Sequence, residues 1–358
     1  MHKFFTASYD ASVYLQQPEQ NSGLDEIIEV GKTYYGSTRD VTRALIKFEL
    51  TTISQSISAG TISSSFTSYL VLRSANSDEI PLEYTIHANA VSQSWTMGTG
   101  TKFDNITSNG VSWKYRDGIT AWMKNTTGGS AVYATGTTGS ANAEGGTWYT
   151  GSEASQSFSY SPDDVRMNVT GIVKMWLSGS IPNEGFIIHH SLQNEENTTD
   201  YGMLKWYSKE TSTIYEPKLE LVWNDFSFTT GSLSSMPTSD YKVVFTNLKS
   251  KYDKNSKVKL RLKGRELYPL KSFTTTAFEY DQTKYLPTAS YYQLQDEVSG
   301  DILFPFGDYT KVSCDQSGSY FIMDLDTLPQ KRIYRIKLKV TSDGIDNIID
   351  DKFLFEIV

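Results

Sequence analysis

One cysteine, Cys314, occurs in 358 residues. No intrachain disulfide can form, so the fold must rest on its cores. An isolated thiol of this kind reads as a small buried apolar residue, not a nucleophile. Histidine is nearly as scarce, with four in the chain. That thins out the side chains that most often bind metals or move protons at neutral pH. No Gly-X-Ser-X-Gly elbow appears, so the usual signature of one hydrolase class is missing. Charged residues make up 21%, below the usual quarter, and the net charge is −8. A net negative chain is poorly suited to sequence-independent nucleic-acid binding. No apolar run is long enough to span a bilayer, and Met1–Thr6 does not open a secretory signal. The expectation is a chain made in a cytoplasm, with no membrane or nucleic-acid partner, no cofactor and no metal site.

What is abundant is Thr, Ser, Gly and aromatics, including 23 Tyr. That mixture suits strands and turns. Thr6–Tyr14, Arg43–Leu50, Ser63–Leu72, Pro81–Ala90, Gly185–His190, Leu204–Ser208 and Pro217–Trp223 read as strands. One helix stands out. Val169, Ile172, Val173, Trp176 and Leu177 follow the spacing of a single helix face, with Asn168 or Thr170 to cap it and Gly179 to end it. About ten residues of helix are not stable alone in water, so this one must lie against the strands with Trp176 inward. Beyond Asn224 the charge balance changes. Residues 226–358 carry 18 Lys and Arg against 17 Asp and Glu, or +1, which leaves 15 against 24, or −9, for residues 1–225. Strands continue there at Tyr241–Phe245, Lys257–Leu262, Tyr291–Leu294, Tyr320–Met323, Arg332–Val340 and Phe353–Val358. The fold class is all-β: a jelly-roll-like sandwich with one short helix over 1–225, then an immunoglobulin-like sandwich over 226–358.

Residues 125–159 are rich in Gly, Ser, Thr and Ala and read as a long loop. Trp148 and Tyr149 within it are the candidate contact residues for a partner or a glycan, with Trp148 the best exposed tryptophan. Trp95, Trp113 and Trp206, next to core strands, read as core. His189 and His190 are adjacent on a strand, so they point to opposite faces and cannot share a metal. Glu195-Glu196-Asn197 with Asp200, and Asp343, Asp346, Asp350 and Asp351, read as solvated turns in preference to calcium loops. No pair of carboxylates is singled out for catalysis, and the chain is read as non-enzymatic.

Several ordered pieces of residues 1–225 carry a resemblance. They are Arg43-Ala44-Leu45-Ile46-Lys47-Phe48-Glu49-Leu50, the anchors at Trp95 and Trp113, Asn168–Gly179, Asn183-Glu184-Gly185-Phe186-Ile187-Ile188 and Pro217-Lys218-Leu219-Glu220-Leu221. In this order they resemble a DNRLRE-type β-sandwich domain, a relative of a family of carbohydrate-binding modules. Phe304–Asp315, Tyr320-Phe321 and Arg332–Val340, within roughly the last 75 residues, resemble the end domain of virion structural proteins of tailed phages. The resemblance implies a non-enzymatic component of a tailed-phage particle, present in several copies and made in the host cytoplasm. Its partners would be other virion proteins. The alternative it implies is a glycan-binding module for attachment to the host surface.

Overall fold

The computed structural model describes every residue except 79, 124–131, 136–141, 161–163, 269–282 and 327. The chain forms two compact units, one of Phe4–Leu221 and one of Met1–Lys3 with Val222–Val358. Both are built from strands.

The strands of the first unit, in order, are β1 (His2–Thr6, whose first two residues belong to the second unit), β2 (Tyr9–Tyr14), β3 (Ile27–Tyr35), β4 (Thr38–Lys47), β5 (Phe66–Leu72), β6 (Glu83–Val91), β7 (Trp122–Met123), β8 (Val132–Thr135), β9 (Asn142–Ser159), β10 (Val165–Asn168), β11 (Phe186–His190), β12 (Gly202–Tyr207) and β13 (Lys218–Trp223, whose last two residues belong to the second unit). Four of them form one sheet in the order β1-β13-β5-β10. The other sheet runs β12-β3-β4-β11-β6-β9-β7, with β2 on β4 and β8 on β9. The central strands are near-continuous apolar runs: Phe186, Ile187 and Ile188 of β11 are fully buried, as are Ala44, Leu45 and Ile46 of β4. A strand buried on both faces needs no alternation.

Helix α1 (Thr51–Ser58) was not foreseen. Its sequence, rich in Ser and Thr, has weak helix propensity, and burial of Ile53 holds it in place. Helix α2 (Thr170–Leu177) is the expected one, with Ile172, Val173 and Trp176 buried. Val169 N–H donates to Ser68 O of β5 at 2.9 Å, and the Trp176 ring meets Phe186 of β11 at 4.6 Å. The helix therefore ties one sheet to the other. Its cap differs in detail: Asn168 Oδ1 accepts from Thr170 N–H at 3.1 Å and from the Thr170 hydroxyl, while Gly179 takes φ +73° after the last turn. Helix α3 (Leu192–Glu196) occupies what reads in sequence as an acidic turn. The described residues thus hold three short α-helices in place of one.

The long-loop reading of 125–159 is corrected for the part described. Residues 142–159 are a single strand, β9, paired with β6 from Glu83↔Ser159 to Val91↔Trp148. Small polar residues have little intrinsic strand preference, but β6 supplies the backbone partners and one face stays solvated. Residues 124–131 and 136–141 of that stretch lie outside the described residues. Between β6 and β7 the chain has no long strand and is pinned from within by Asn21. This buried amide donates to Met97 O at 2.7 Å and Val111 O at 2.8 Å, and its Oδ1 accepts from Gly100 N–H at 2.7 Å.

In the second unit, β14 (Tyr241–Phe245), β16 (Lys257–Glu266), β19 (Ser313–Asp315) and β20 (Gly318–Asp324) form a sheet in the order β14-β16-β20-β19. It faces a sheet of β15 (Lys251–Tyr252), β17 (Ser290–Asp296), β18 (Ile302–Phe304), β21 (Arg332–Ser342) and β22 (Ile345–Ile357), ordered β15-β22-β21-β17-β18. Rings close the gap between them: Tyr292 of β17 stacks on Phe321 of β20 at 4.0 Å, and Phe245 of β14 meets Phe353 of β22 at 4.7 Å. The end of the chain is thus a paired strand. Residues 1–3 add to this unit through a Lys3–Asp324 ion pair at 3.1 Å and His2 stacked on Phe304 at 4.7 Å.

Candidate functional site

The densest chemistry in the first unit is built by β4, β6, β9, β11 and α3. Arg43 of β4 is 1% exposed. Its guanidinium grips Glu195 of α3 with two bonds, Nε to Oε1 at 3.1 Å and Nη2 to Oε2 at 2.6 Å. Nη1 donates to Gly145 O at 2.7 Å. A side chain at Gly145 would strike that guanidinium and Trp113, and the residue sits at φ +70°, so only glycine serves here. The indoles of Trp113 and Trp148 lie 4.8 and 5.1 Å from the Arg43 guanidinium carbon. Three of the five N–H groups of the cation are therefore met by a carboxylate or a carbonyl, and its faces by rings.

A column of rings continues outward. Trp148 stacks on His189 at 4.7 Å, and His189 on its cross-strand neighbour His87 at 5.9 Å. His87 Nδ1 lies 2.5 Å from Glu153 Oε1. The His189 Nδ1–H donates to His190 O at 2.6 Å, while Nε2 lies 3.0 Å from Asn89 Oδ1. Asn89 Nδ2 donates to Ser152 O at 3.0 Å. Beside this column is a cavity of about 190 Å³ lined by His87, Asn89, Trp148, Glu153, His189 and Ser191, among others. Elsewhere on the unit, an open groove of about 600 Å³ runs along Gln16–Gln20 and Lys102–Asp104, with Phe103 standing out of it 88% exposed.

Trp148 is buried at 3%, which corrects its reading as an exposed loop aromatic, because β9 carries it into the core beside Arg43. Tyr149, next along the strand, is half-buried. Glu195 is not a solvated turn residue: it is 3% exposed and holds Arg43. His189 and His190 do point to opposite faces, the first into the ring column and the second against Tyr201 at 5.3 Å. Trp113 and Trp206 are core, as expected, and Trp95 is half-buried with Nε1 donating to Glu184 O at 2.7 Å. Among the described residues no group of three or more His, Cys, Asp or Glu is arranged to hold a metal ion. Asp343, Asp346, Asp350 and Asp351 lie at or near the β21–β22 turn and along β22, where Asp346 faces Lys339 at 3.3 Å and Asp350 faces Arg335 at 3.5 Å.

The buried titratable groups set a pH response. Burial, with Arg43 nearby, lowers His189 from 6.5 to about 3. Burial likewise lowers His190 from 6.5 to about 4, partly opposed by Glu195. Both rings are neutral in the folded chain, and unfolding lets both take protons below pH 6.5, so acid favours the unfolded state. Burial raises Asp10 from 3.8 to about 7, which gives the folded state one proton that the unfolded chain lacks between those values. Asp25 and Asp40 are also raised by burial and act in the same sense as Asp10. Two imidazole protons against the one on Asp10 give a net loss of stability of about 1.4 kcal/mol per pH unit, which proton uptake by Asp25 and Asp40 reduces. Denaturant titrations at pH 6.5, 5.5 and 4.5 should show the first unit weakening stepwise. A stability that is flat or rising on acidification would mean that the imidazoles are already protonated in the fold or that Asp10, Asp25 and Asp40 together outweigh them.

No protein-family model and no curated protein matches this sequence. Among solved structures, a DUF4785 family protein from Legionella pneumophila aligns with 99% of this chain and 61% of its own, at 8% identity and a TM-score of 0.19. The chain thus spans less than two thirds of that protein, and a likeness this slight carries no argument about function.

Proposed function

We propose that this chain is a non-enzymatic structural component of a tailed-phage virion, present in several copies and acting through protein–protein contacts. The observation that carries this reading over a glycan-binding one is where the large rings go. Six of the seven tryptophans, Trp113, Trp122, Trp148, Trp176, Trp206 and Trp223, are no more than 6% exposed. A sugar platform needs indole faces open to solvent, whereas a building element spends them on its cores. The polar groups of the ring column are also matched to one another, the Arg43 guanidinium to Glu195 and His87 Nδ1 to Glu153. The assignment to a particle rests on the resemblance of Phe304–Asp315, Tyr320-Phe321 and Arg332–Val340 to virion end domains. It would place the chain in the tail, baseplate, neck or head surface.

The test is the protein composition of purified particles from an infected host. The chain should remain with the particles through density-gradient banding, at a fixed copy number. Recovery only in the soluble fraction would end the proposal. Tight binding of the isolated chain to host-surface polysaccharide would move the assignment to the adhesion alternative.

A further inference from the structure

Lys32 of β3 is 0% exposed, and among the described residues no carboxylate pairs with it. An ammonium buried without an acid has given up its hydration for no opposite charge. What surrounds its Nζ is the turn that leads into β12. Nζ donates to the main-chain oxygens of Asn197, at 2.6 Å, and of Thr199. It also lies 3.3 Å from Oδ1 of the Asn197 side chain. The rings of Tyr34 and Tyr201 stand 5.3 and 5.8 Å from it and limit the access of water. Burial lowers the Lys32 amine below its ordinary value, opposed only in part by Asp200.

The Asn197 side chain is arranged to receive that amine. Thr199 N–H donates to its Oδ1 at 2.9 Å, which polarises the carbonyl and stabilises negative charge that develops on it. Asn197 Nδ2 donates to the Tyr201 hydroxyl at 3.2 Å, so a phenol stands at the atom that would leave. A neutral amine has two N–H groups, which the main-chain oxygens of Asn197 and Thr199 can take. Its lone pair is then left for Asn197 Cγ, one bond beyond the oxygen at 3.3 Å. Nucleophile, electrophile, oxyanion donor and acid are thus gathered at one turn.

We propose that Lys32 and Asn197 join in an amide, a covalent staple between β3 and the turn before β12 that the folded chain makes by itself. The Nζ–Cγ bond forms and the Cγ–Nδ2 bond breaks. The electron pair of the broken bond stays on Nδ2, which takes the Tyr201 O–H proton and leaves as ammonia. One proton of the neutral Nζ returns to the Tyr201 oxygen, and the other remains on the new amide. Nothing is oxidised or reduced, and each chain reacts once, so no turnover is implied. The staple pins β12, which ends the order of the larger sheet, in a chain that has no disulfide. This inference does not rest on the virion reading.

The test is the mass of the intact full chain after denaturation. Wild type should be lighter than its encoded mass by one ammonia, and digestion should yield a branched peptide that carries both Lys32 and Asn197. Lys32→Arg and Asn197→Ala should each show their encoded mass and no branched peptide. A succinimide at Asn109-Gly110 also sheds one ammonia, but it would persist in Lys32→Arg. Tyr201→Phe keeps the ring and loses the proton donor. Followed by mass at intervals after cell-free synthesis, it should form the bond about a hundredfold more slowly than wild type. The proposal is overturned by a wild-type chain at its encoded mass, both as purified and after holding at about pH 9, where more of the amine is neutral. It is also overturned by an ammonia loss that persists unchanged in Lys32→Arg. A bond that forms as fast in Tyr201→Phe overturns the step as written.

Discussion

Arg43→Met should destabilise the Phe4–Leu221 unit by about 3–5 kcal/mol, the usual cost of leaving one member of a buried ion pair without its partner. The substitution keeps much of the side chain's length and its contact with Trp113 and Trp148. What it removes is the charge that Glu195, 3% exposed, was buried to meet. Gly145 O loses its donor in the same step. Two further variants separate these causes. Arg43→Lys keeps the charge but cannot make both bonds to Glu195, so it should fall between wild type and Met. Arg43→Met combined with Glu195→Leu removes both charges and should recover a good part of the loss. Urea unfolding followed by tryptophan fluorescence reads this unit well, since Trp113 and Trp148 flank the guanidinium. If Arg43→Met lies within about 0.5 kcal/mol of wild type, the cluster is a surface feature and its burial has been misjudged.

Trp176→Ala should cost about 3–5 kcal/mol, the range for deleting a large buried ring. The indole is 6% exposed and meets Phe186 edge-on at 4.6 Å, and Phe186 in turn meets Phe48 at 6.2 Å. Because α2 is eight residues long, it has no stability of its own to fall back on. The loss should therefore extend to the helix and weaken the Val169–Ser68 bond to β5. Hydrogen exchange at Val169 and Ile172–Trp176 should rise well beyond that of β4 and β11. A variant that melts like wild type, with these amides still protected, would show that α2 is held by its backbone bonds and not by its aromatic anchor.

How much was legible follows from where the signals lie. Helix α2 was readable because its apolar residues repeat at 3.6, a period no strand can imitate. The strand around Arg43–Leu50 was readable as an alternation with one strongly apolar face, and Gly185–His190 was readable as a strand. Helix α1 was not, since Ser and Thr dominate it and Ile53 alone is buried. Strand β9 was mistaken for a loop because its residues are small and polar, and what makes it a strand is β6, about 60 residues away in sequence. Burial of Trp148 follows from that pairing and could not precede it. Arg43 looked like one more charged residue on a strand. Its partner Glu195 lies 152 positions further on, in a turn-like acidic run, and nothing local joins them. Strand β16 was visible as the alternation over Lys257–Leu262, but the placing of Lys242 opposite Arg265 required the register with β14.

The central claim is that the chain works by fixed contacts with other particle proteins. Cross-linking of intact purified particles with a lysine-reactive reagent, followed by mass spectrometry, tests it most directly. The account predicts reproducible links from this chain to at least one other particle protein. A chain that is absent from the particles, or present with no link to any other protein, would contradict it.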